Sequence, residues 1–258
     1  MNTQETFVSH LIELRERLIR AMIAVLVLLG VLMLWPGAGA IYDLLALPLM
    51  KALPQGAKMI ATGVITPFLV PLKVTALAAF MLALPYVLYQ AWAFVAPGLY
   101  EHEKKLALPI VIAGTLLFYL GVAFCYFWVF GSVFSFINEF APKSITPAPD
   151  IEAYFGFVIT MFLAFGVAFE IPIVVIVLAR SGVVSVEKLV DARPYVLLGN
   201  AVIAAVVTPP DVVSMLALLV PMTLLYEVGL LIARMGGTRA AQKRPEEGEP
   251  ETERDSKA

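Results

Sequence analysis

The sequence predicts an all-α integral membrane protein with six transmembrane helices, on three observations. Of 258 residues 60% are apolar and only 15% are charged, against about 25% charged in soluble domains. The charged residues are also confined, leaving six long stretches almost free of them. With a mean hydropathy of +0.88, apolar side chains would cover the outside of any compact body, which water does not tolerate. The solvent for that surface is lipid. Eighteen Lys and Arg against 20 Asp and Glu give a net charge of -2, without the basic excess of a nucleic-acid binder. A single cysteine, Cys125, and two histidines, His10 and His102, exclude an intrachain disulfide and make a poor thiolate zinc site. No metal or other cofactor is expected.

The chain opens with Phe7, Leu11, Leu14 and Leu18 at helical spacing among charged residues, an amphipathic segment at the membrane surface. It leads into the first apolar run, Ala21 to Tyr42. Arg15 to Arg20, this run and Ala38-Gly39-Ala40 have the order of a cleavable signal, but Glu13 and Glu16 in the leading helix favour a retained span. The second run extends from Val74 to Tyr100, the third from Leu106 to Asn138, and the fourth from Ala153 to Ala179 with Glu170 inside it. The fifth, Tyr195 to Pro210, and the sixth, Val212 to Ala233 with Glu227 inside, are parted by Thr208-Pro209-Pro210-Asp211, where the double proline forces a break. Pro71, Pro85, Pro109, Pro172 and Pro221 are each expected to free a carbonyl and bend a helix.

Thirty-three charge-free residues make the third run about 50 Å long as a helix, beyond a hydrocarbon core of roughly 30 Å, so it must tilt or project. Sixteen residues in the fifth reach only about 24 Å. This predicts short fifth and sixth helices and a bilayer thinned beside them. Lys51, Lys58 and Lys143 fall on one side of the membrane, with Lys73 at the start of the second helix, and the other fourteen basic residues fall opposite. The positive-inside rule then places both termini in the cytoplasm. Residues 1–235 form one six-helix membrane domain with an amphipathic cytoplasmic N-terminal segment. Residues 236–258, with five basic and six acidic side chains beyond Gly236-Gly237, form a disordered cytoplasmic tail.

No phosphate-binding loop, nucleophile elbow or metal-ligand pattern occurs; His102-Glu103-Lys104-Lys105-Leu106 begins like H-E-x-x-H but ends in Leu. No catalytic residue is assigned and no enzyme activity is expected. Carboxylates at the membrane remain. An ionised Glu170 at helix centre would cost about 3 kcal/mol, so it faces protein or water, either as a polar site or as a hydrogen-bonded packing residue beside Pro172. Glu227 reads as an interfacial carboxylate near Arg234. Glu13 and Glu103 lie at helix–lipid boundaries, where a carboxylate can hold a guanidinium through two parallel hydrogen bonds. On spacing alone, local pairing of Glu13 with Arg17 and of Glu16 with Arg20, four residues on, is the stronger reading.

Several ordered motifs carry a family resemblance. His10-Leu11-Ile12-Glu13-Leu14-Arg15, Ala46-Leu47-Pro48-Leu49, Leu53-Pro54-Gln55-Gly56 and Met59-Ile60-Ala61-Thr62 resemble TatC, the multispanning subunit of the twin-arginine protein translocase. So do the run from Tyr89 to Tyr100, Phe165 to Pro172, Arg193-Pro194-Tyr195 and Val207 to Asp211. The resemblance covers roughly residues 7 to 235. It implies a cup-shaped, six-helix receptor that binds the Arg-Arg motif of signal peptides on folded cargo and works in the bacterial inner membrane under the proton-motive force. By the same resemblance Glu13 and Glu103 match the signal-binding acidic positions, with Arg17 and Phe94 close by, which reverses the reading of Glu13 from spacing alone. Pro48, Thr208 and Asp211 match structural or partner-related positions, and Glu170 the polar residue of the concave face. The implied partners are signal peptides, membrane lipid and the single-span TatA and TatB proteins, with self-association left open. Ala205, Met215 and Gly63 depart from the more polar residues relatives can carry there. The rival reading is an ion-coupled small-solute transporter using Glu170, which would ordinarily show the repeat symmetry absent here.

Overall fold

Apolar runs long enough to cross lipid must satisfy their backbone groups internally, and helices do so. The computed structural model describes residues 3–52, 58–95, 107–140, 148–208 and 211–241, and among them the only β pairing is an isolated bridge between Ile60 and Asp150. The helices are α1 (Thr3–Leu34), α2 (Ala38–Ala52), α3 (Thr66–Val95), α4 (Ala107–Phe124), α5 (Phe130–Phe140), α6 (Ile151–Phe169), α7 (Ile171–Arg180), α8 (Val186–Asp191), α9 (Arg193–Val207) and α10 (Val212–Ala241). Five stretches are long and apolar enough to span: Leu11–Leu34, Thr66–Phe94, Leu108–Phe136, Ile151–Arg180 and Val212–Met235. The shorter apolar helix α9 makes a sixth element between the last two.

Several boundaries differ from expectation for physical reasons. The amphipathic leader and the first span are one continuous helix, α1, which stops at Trp35-Pro36-Gly37, where Gly37 adopts φ +91, open to glycine without a Cβ. The rest of the first charge-free run starts α2, so Pro48 lies in a helix and not a loop. Helix α3 begins before the charge-free run because Lys73 is accommodated inside it, its Nζ 3.0 Å from Glu152 Oε1 of α6. The third run is a helical path of three parts, with a π-turn at Cys125–Val129 joining α4 to α5. Pro109 lies in the first turn of α4, where the chain has no helical hydrogen bond to lose, so it frees no carbonyl within the helix. The fourth run divides at Glu170, just before Pro172. Of the two helices expected to be short only α9 is, at 15 residues; the apolar part of α10 has 24. Gly236 and Gly237 do not end α10, which continues to Ala241; the rest of the tail lies outside the described residues.

The core forms around α6, whose Phe155, Phe162 and Phe165 are almost fully buried, with Phe130 stacked on Phe162 at 5.4 Å between centroids. Close approach requires glycine: a Cβ at Gly166 would run into the Phe118 ring of α4. Gly114 of α4 meets Glu170 and Gly121 meets Phe165, so α4 and α6 run antiparallel. Helix α1 packs mainly along α3 and leaves Leu18, Ile23, Leu26 and Val27 more than half exposed, a lipid-facing surface. One end of the bundle carries α2 and the starts of α3 and α6. Both ends of the described chain lie at the other.

For Pro48 of α2 and Pro85 of α3 the freed carbonyls have specific partners. A proline has no N–H, so the carbonyl four residues earlier loses its donor. For Pro48 that carbonyl is Leu44, which accepts from the Tyr126 hydroxyl at 3.0 Å. For Pro85 it is Met81, which accepts from the Tyr119 hydroxyl at 2.7 Å. Tyr154 donates to the adjacent Leu45 carbonyl at 3.0 Å. Tyrosines thus tie the proline-containing helices to the core.

Candidate functional site

The end bearing the start of α1 and the end of α10 holds three of the expected recognition residues, Glu13, Arg17 and Phe94. Glu13 and Arg17 are one turn apart on α1, and Nε and Nη2 of Arg17 both donate to Glu13 Oε1, at 2.9 and 2.5 Å. Their side chains are only 34% and 23% exposed, respectively. Partial burial weakens solvent screening, so this pair is stronger than the neighbouring Glu16–Arg20 contact, 3.6 Å long and about 60% exposed. The local pairing legible in the i, i+4 spacing is therefore present. It also shows how a guanidinium sits on Glu13: two N–H groups converge on one oxygen, Oε1.

Phe94, half-buried, lies near the last turn of α3 at the same end. One turn before it Gln90 is 5% exposed, and its Oε1 is buried without a donor among the described residues. Nothing in its isolated position in an apolar run marked it beforehand. Glu103 lies outside the described residues.

Glu170 occupies the break between α6 and α7, at φ -76 and ψ -13. Pro172 cannot donate, and α7 restarts with Val174 N–H on the Glu170 carbonyl at 3.0 Å. Its carboxylate rests against Gly114, where a Cβ would stand 2.9 Å from Oε2, and Oε1 is buried without a hydrogen-bond partner among the described residues. The positive end of the α7 dipole lies beside it. Of the two readings left by the sequence, a polar site or a hydrogen-bonded packing residue, the structure shows no hydrogen bond to Oε1 among the described residues and leaves a half-buried polar group in an apolar wall.

At the opposite end the remaining residues are architectural. Thr208 caps α9, 6% exposed, its hydroxyl donating to Ala204 O at 2.7 Å. Asp211 caps α10: Oδ1 accepts from Ser214 N at 2.7 Å and Oδ2 from the Ser214 hydroxyl. Asp150, not singled out from sequence, caps α6 through Glu152 N and Ala153 N and also accepts from Thr62 N and Oγ1, at 3.1 and 2.8 Å. These bonds, led by the Ala153 N–H and the Thr62 hydroxyl, hold its carboxyl below the usual carboxylate range. The Asp150-Ile151 pair before an apolar run was the available signal, since Asp is a preferred cap. Back at the terminal end, Glu227, expected near Arg234, receives Arg193 Nη2 of α9 at 2.5 Å.

Comparison with known proteins fits this arrangement. The family described as Sec-independent protein translocase protein (TatC) matches residues 9–221. TatC of Haemophilus influenzae is 45% identical over 234 residues, covering 91% of each chain. TatC of Escherichia coli strain K12 is 44% identical over 236 residues, again 91% of each. A crystal structure of the twin arginine translocase receptor TatC superposes with a TM-score of 0.76 at 35% identity, covering 88% of this chain and 99% of that one. With its spans, its interrupted fourth helix and its short fifth helix in that order, this multi-pass membrane chain belongs to the TatC family of Sec-independent protein translocase proteins.

Proposed function

We propose that this chain is the receptor component of a twin-arginine translocase, binding Arg-Arg signal peptides of folded cargo at the end where its termini lie. The observation that carries this reading is the Arg17 guanidinium seated on Glu13 through two N–H groups. A partly buried carboxylate that takes two N–H groups from different nitrogens of one guanidinium favours guanidinium over ammonium, whose N–H groups diverge from a single nitrogen. In this reading Glu13 and Glu103 each receive one signal arginine, Arg17 orients Glu13, and Phe94 packs against the adjoining apolar residues. The apolar segment of the signal then runs along the concave face toward Glu170.

The termini face the cytoplasm of the bacterium and the membrane is the inner one, a reading supported by Arg15, Arg17, Arg20, Arg180, Lys188 and Arg193 at the terminal end against Lys51, Lys58 and Lys73 at the other. The partners are the single-span TatA and TatB proteins, drawn to the edge formed by α9 and α10, where α9, about 22 Å long, thins the bilayer. Translocation runs on the proton-motive force without nucleotide hydrolysis. The rival, an ion-coupled transporter centred on Glu170, is not favoured, since the similar proteins are translocase subunits.

The test is binding of the solubilised chain to an Arg-Arg signal peptide and to its Lys-Lys counterpart at matched salt. The expected result is a roughly tenfold preference for Arg-Arg, about 1.4 kcal/mol, lost in Glu13→Gln and Glu103→Gln. Equal affinity for both peptides refutes the assignment of the carboxylates.

A further inference from the structure

Helices α9 and α10 run antiparallel at the terminal end and enclose a pocket of about 170 Å³. Its polar groups lie at successive depths. At the mouth stands the Arg193–Glu227 pair, with side chains 43% and 44% exposed. Thr223 lines the pocket four residues before Glu227 on α10, about 6 Å deeper. Deeper still lies Asn200 of α9, seven residues and about 10 Å beyond Arg193; it is 5% exposed, and its Nδ2 is buried with no acceptor among the described residues. The Thr223 hydroxyl donates to its own helix at Leu219 O and the Tyr226 hydroxyl to Leu189 O, so neither donates into the pocket. The rest of the lining is mainly apolar, and Leu197, 48% exposed, marks the side open to lipid.

An amide N–H without an acceptor is costly in a setting where water does not supply one. A ligand that relieves it must also meet a cation and an anion at the mouth. A phosphoglyceride with a primary-amine head group meets all three groups in order. Its phosphate faces Arg193, its ammonium donates to Glu227, and an acyl ester carbonyl lies deeper, opposite Asn200, with the chains leaving along Leu197. We infer that this pocket is a binding site for an aminophospholipid of the surrounding membrane. A choline head group brings the positive charge without an N–H donor for Glu227. An anionic head group without an amine sets its phosphate against that carboxylate.

The experiment is native mass spectrometry of the full-length chain in detergent with phosphatidylethanolamine, phosphatidylcholine and phosphatidylglycerol supplied in equal amounts. Phosphatidylethanolamine is expected to be retained roughly fivefold over phosphatidylcholine, equivalent to about 1 kcal/mol. Glu227→Gln should abolish that preference, and Asn200→Leu should lower retention of all three lipids. Glu187→Gln, an acidic change on α8 outside the pocket, should alter neither. Melting temperatures in detergent confirm folding, and Glu227→Gln at the exposed mouth decides alone if Asn200→Leu does not fold. Equal retention of the three lipids by the unaltered chain overturns the proposal, as does a preference that survives Glu227→Gln. Loss of single-span partner capture in Asn200→Leu with lipid retention unchanged also overturns it, in favour of a partner-helix site.

Discussion

Tyr119→Phe removes one oxygen and, by the geometry of α3 and α4, one specific interhelical bond. Pro85 leaves the Met81 carbonyl without its helical donor, and the Tyr119 hydroxyl supplies one at 2.7 Å. The ring is 36% exposed and remains in place as phenylalanine, so packing changes little. Interhelical hydrogen bonds within membranes average about 0.6 kcal/mol and reach about 1.7. A carbonyl with no alternative donor belongs toward the upper part of that range, and the substitution should cost about 1 to 1.5 kcal/mol. The proline makes the reasoning separable. In Pro85→Ala the restored N–H serves Met81 directly, so Tyr119→Phe in that background should cost only about half as much, giving a coupling of about 0.5 to 0.8 kcal/mol. The assay is reversible unfolding in mixed micelles by titrated dodecyl sulfate, followed by far-UV circular dichroism on the four proteins of the cycle. An equal cost of Tyr119→Phe in both backgrounds refutes the claim that the tyrosine serves the carbonyl freed by the proline.

Asp211→Ala removes the cap of α10 and should destabilise by about 0.5 to 2 kcal/mol in the same assay, while signal-peptide affinity stays unchanged. Asp150 tethers residues 60–62 to the start of α6 as a carboxylate. Since its folded pKa lies below the unfolded value, the contribution is complete above about pH 4 and is lost as pH falls through the folded pKa. Amide exchange at Thr62 should accordingly increase only in acid, and Asp150→Asn should remove that dependence. Gly166→Ala forces a methyl into the Phe118 ring and should cost about 1 to 3 kcal/mol; Phe118→Leu in the same chain should recover part of the loss, measured as melting temperature in detergent.

Much of the architecture is legible because lipid imposes a one-dimensional rule. A span must be continuously apolar, so the charge-free runs mark six apolar elements and the double proline shortens the fifth, whereas the expected shortness of the sixth is not found. The Glu13–Arg17 pair is legible for a similar reason, since i, i+4 geometry belongs to a single helix. The rule fails where a charge is compensated from elsewhere. Lys73 looks like a boundary, yet α3 continues through it because Glu152 of α6 receives its ammonium. Proline is ambiguous in the same way: Pro109 is harmless in a first turn, Pro172 restarts a helix, and Pro48 and Pro85 remain inside helices whose freed carbonyls find tyrosines.

From sequence alone follow the class of solvent, the number of apolar elements, the side bearing the positive charge and the local pairing of neighbours on one helix. Each depends on composition or on separations of a few residues. Tertiary structure decides which helix faces which and at what height: Arg193 on Glu227, Gly114 against Glu170, Tyr126 on Leu44, and an Asn200 amide left without an acceptor beside a pocket. Those partners are 34 to 82 residues apart in the two hydrogen-bonded cases. An apolar helix presents nearly equivalent faces to lipid and to its neighbours, so hydropathy carries no register, which close packing of glycines against rings and carboxylates sets once the helices meet.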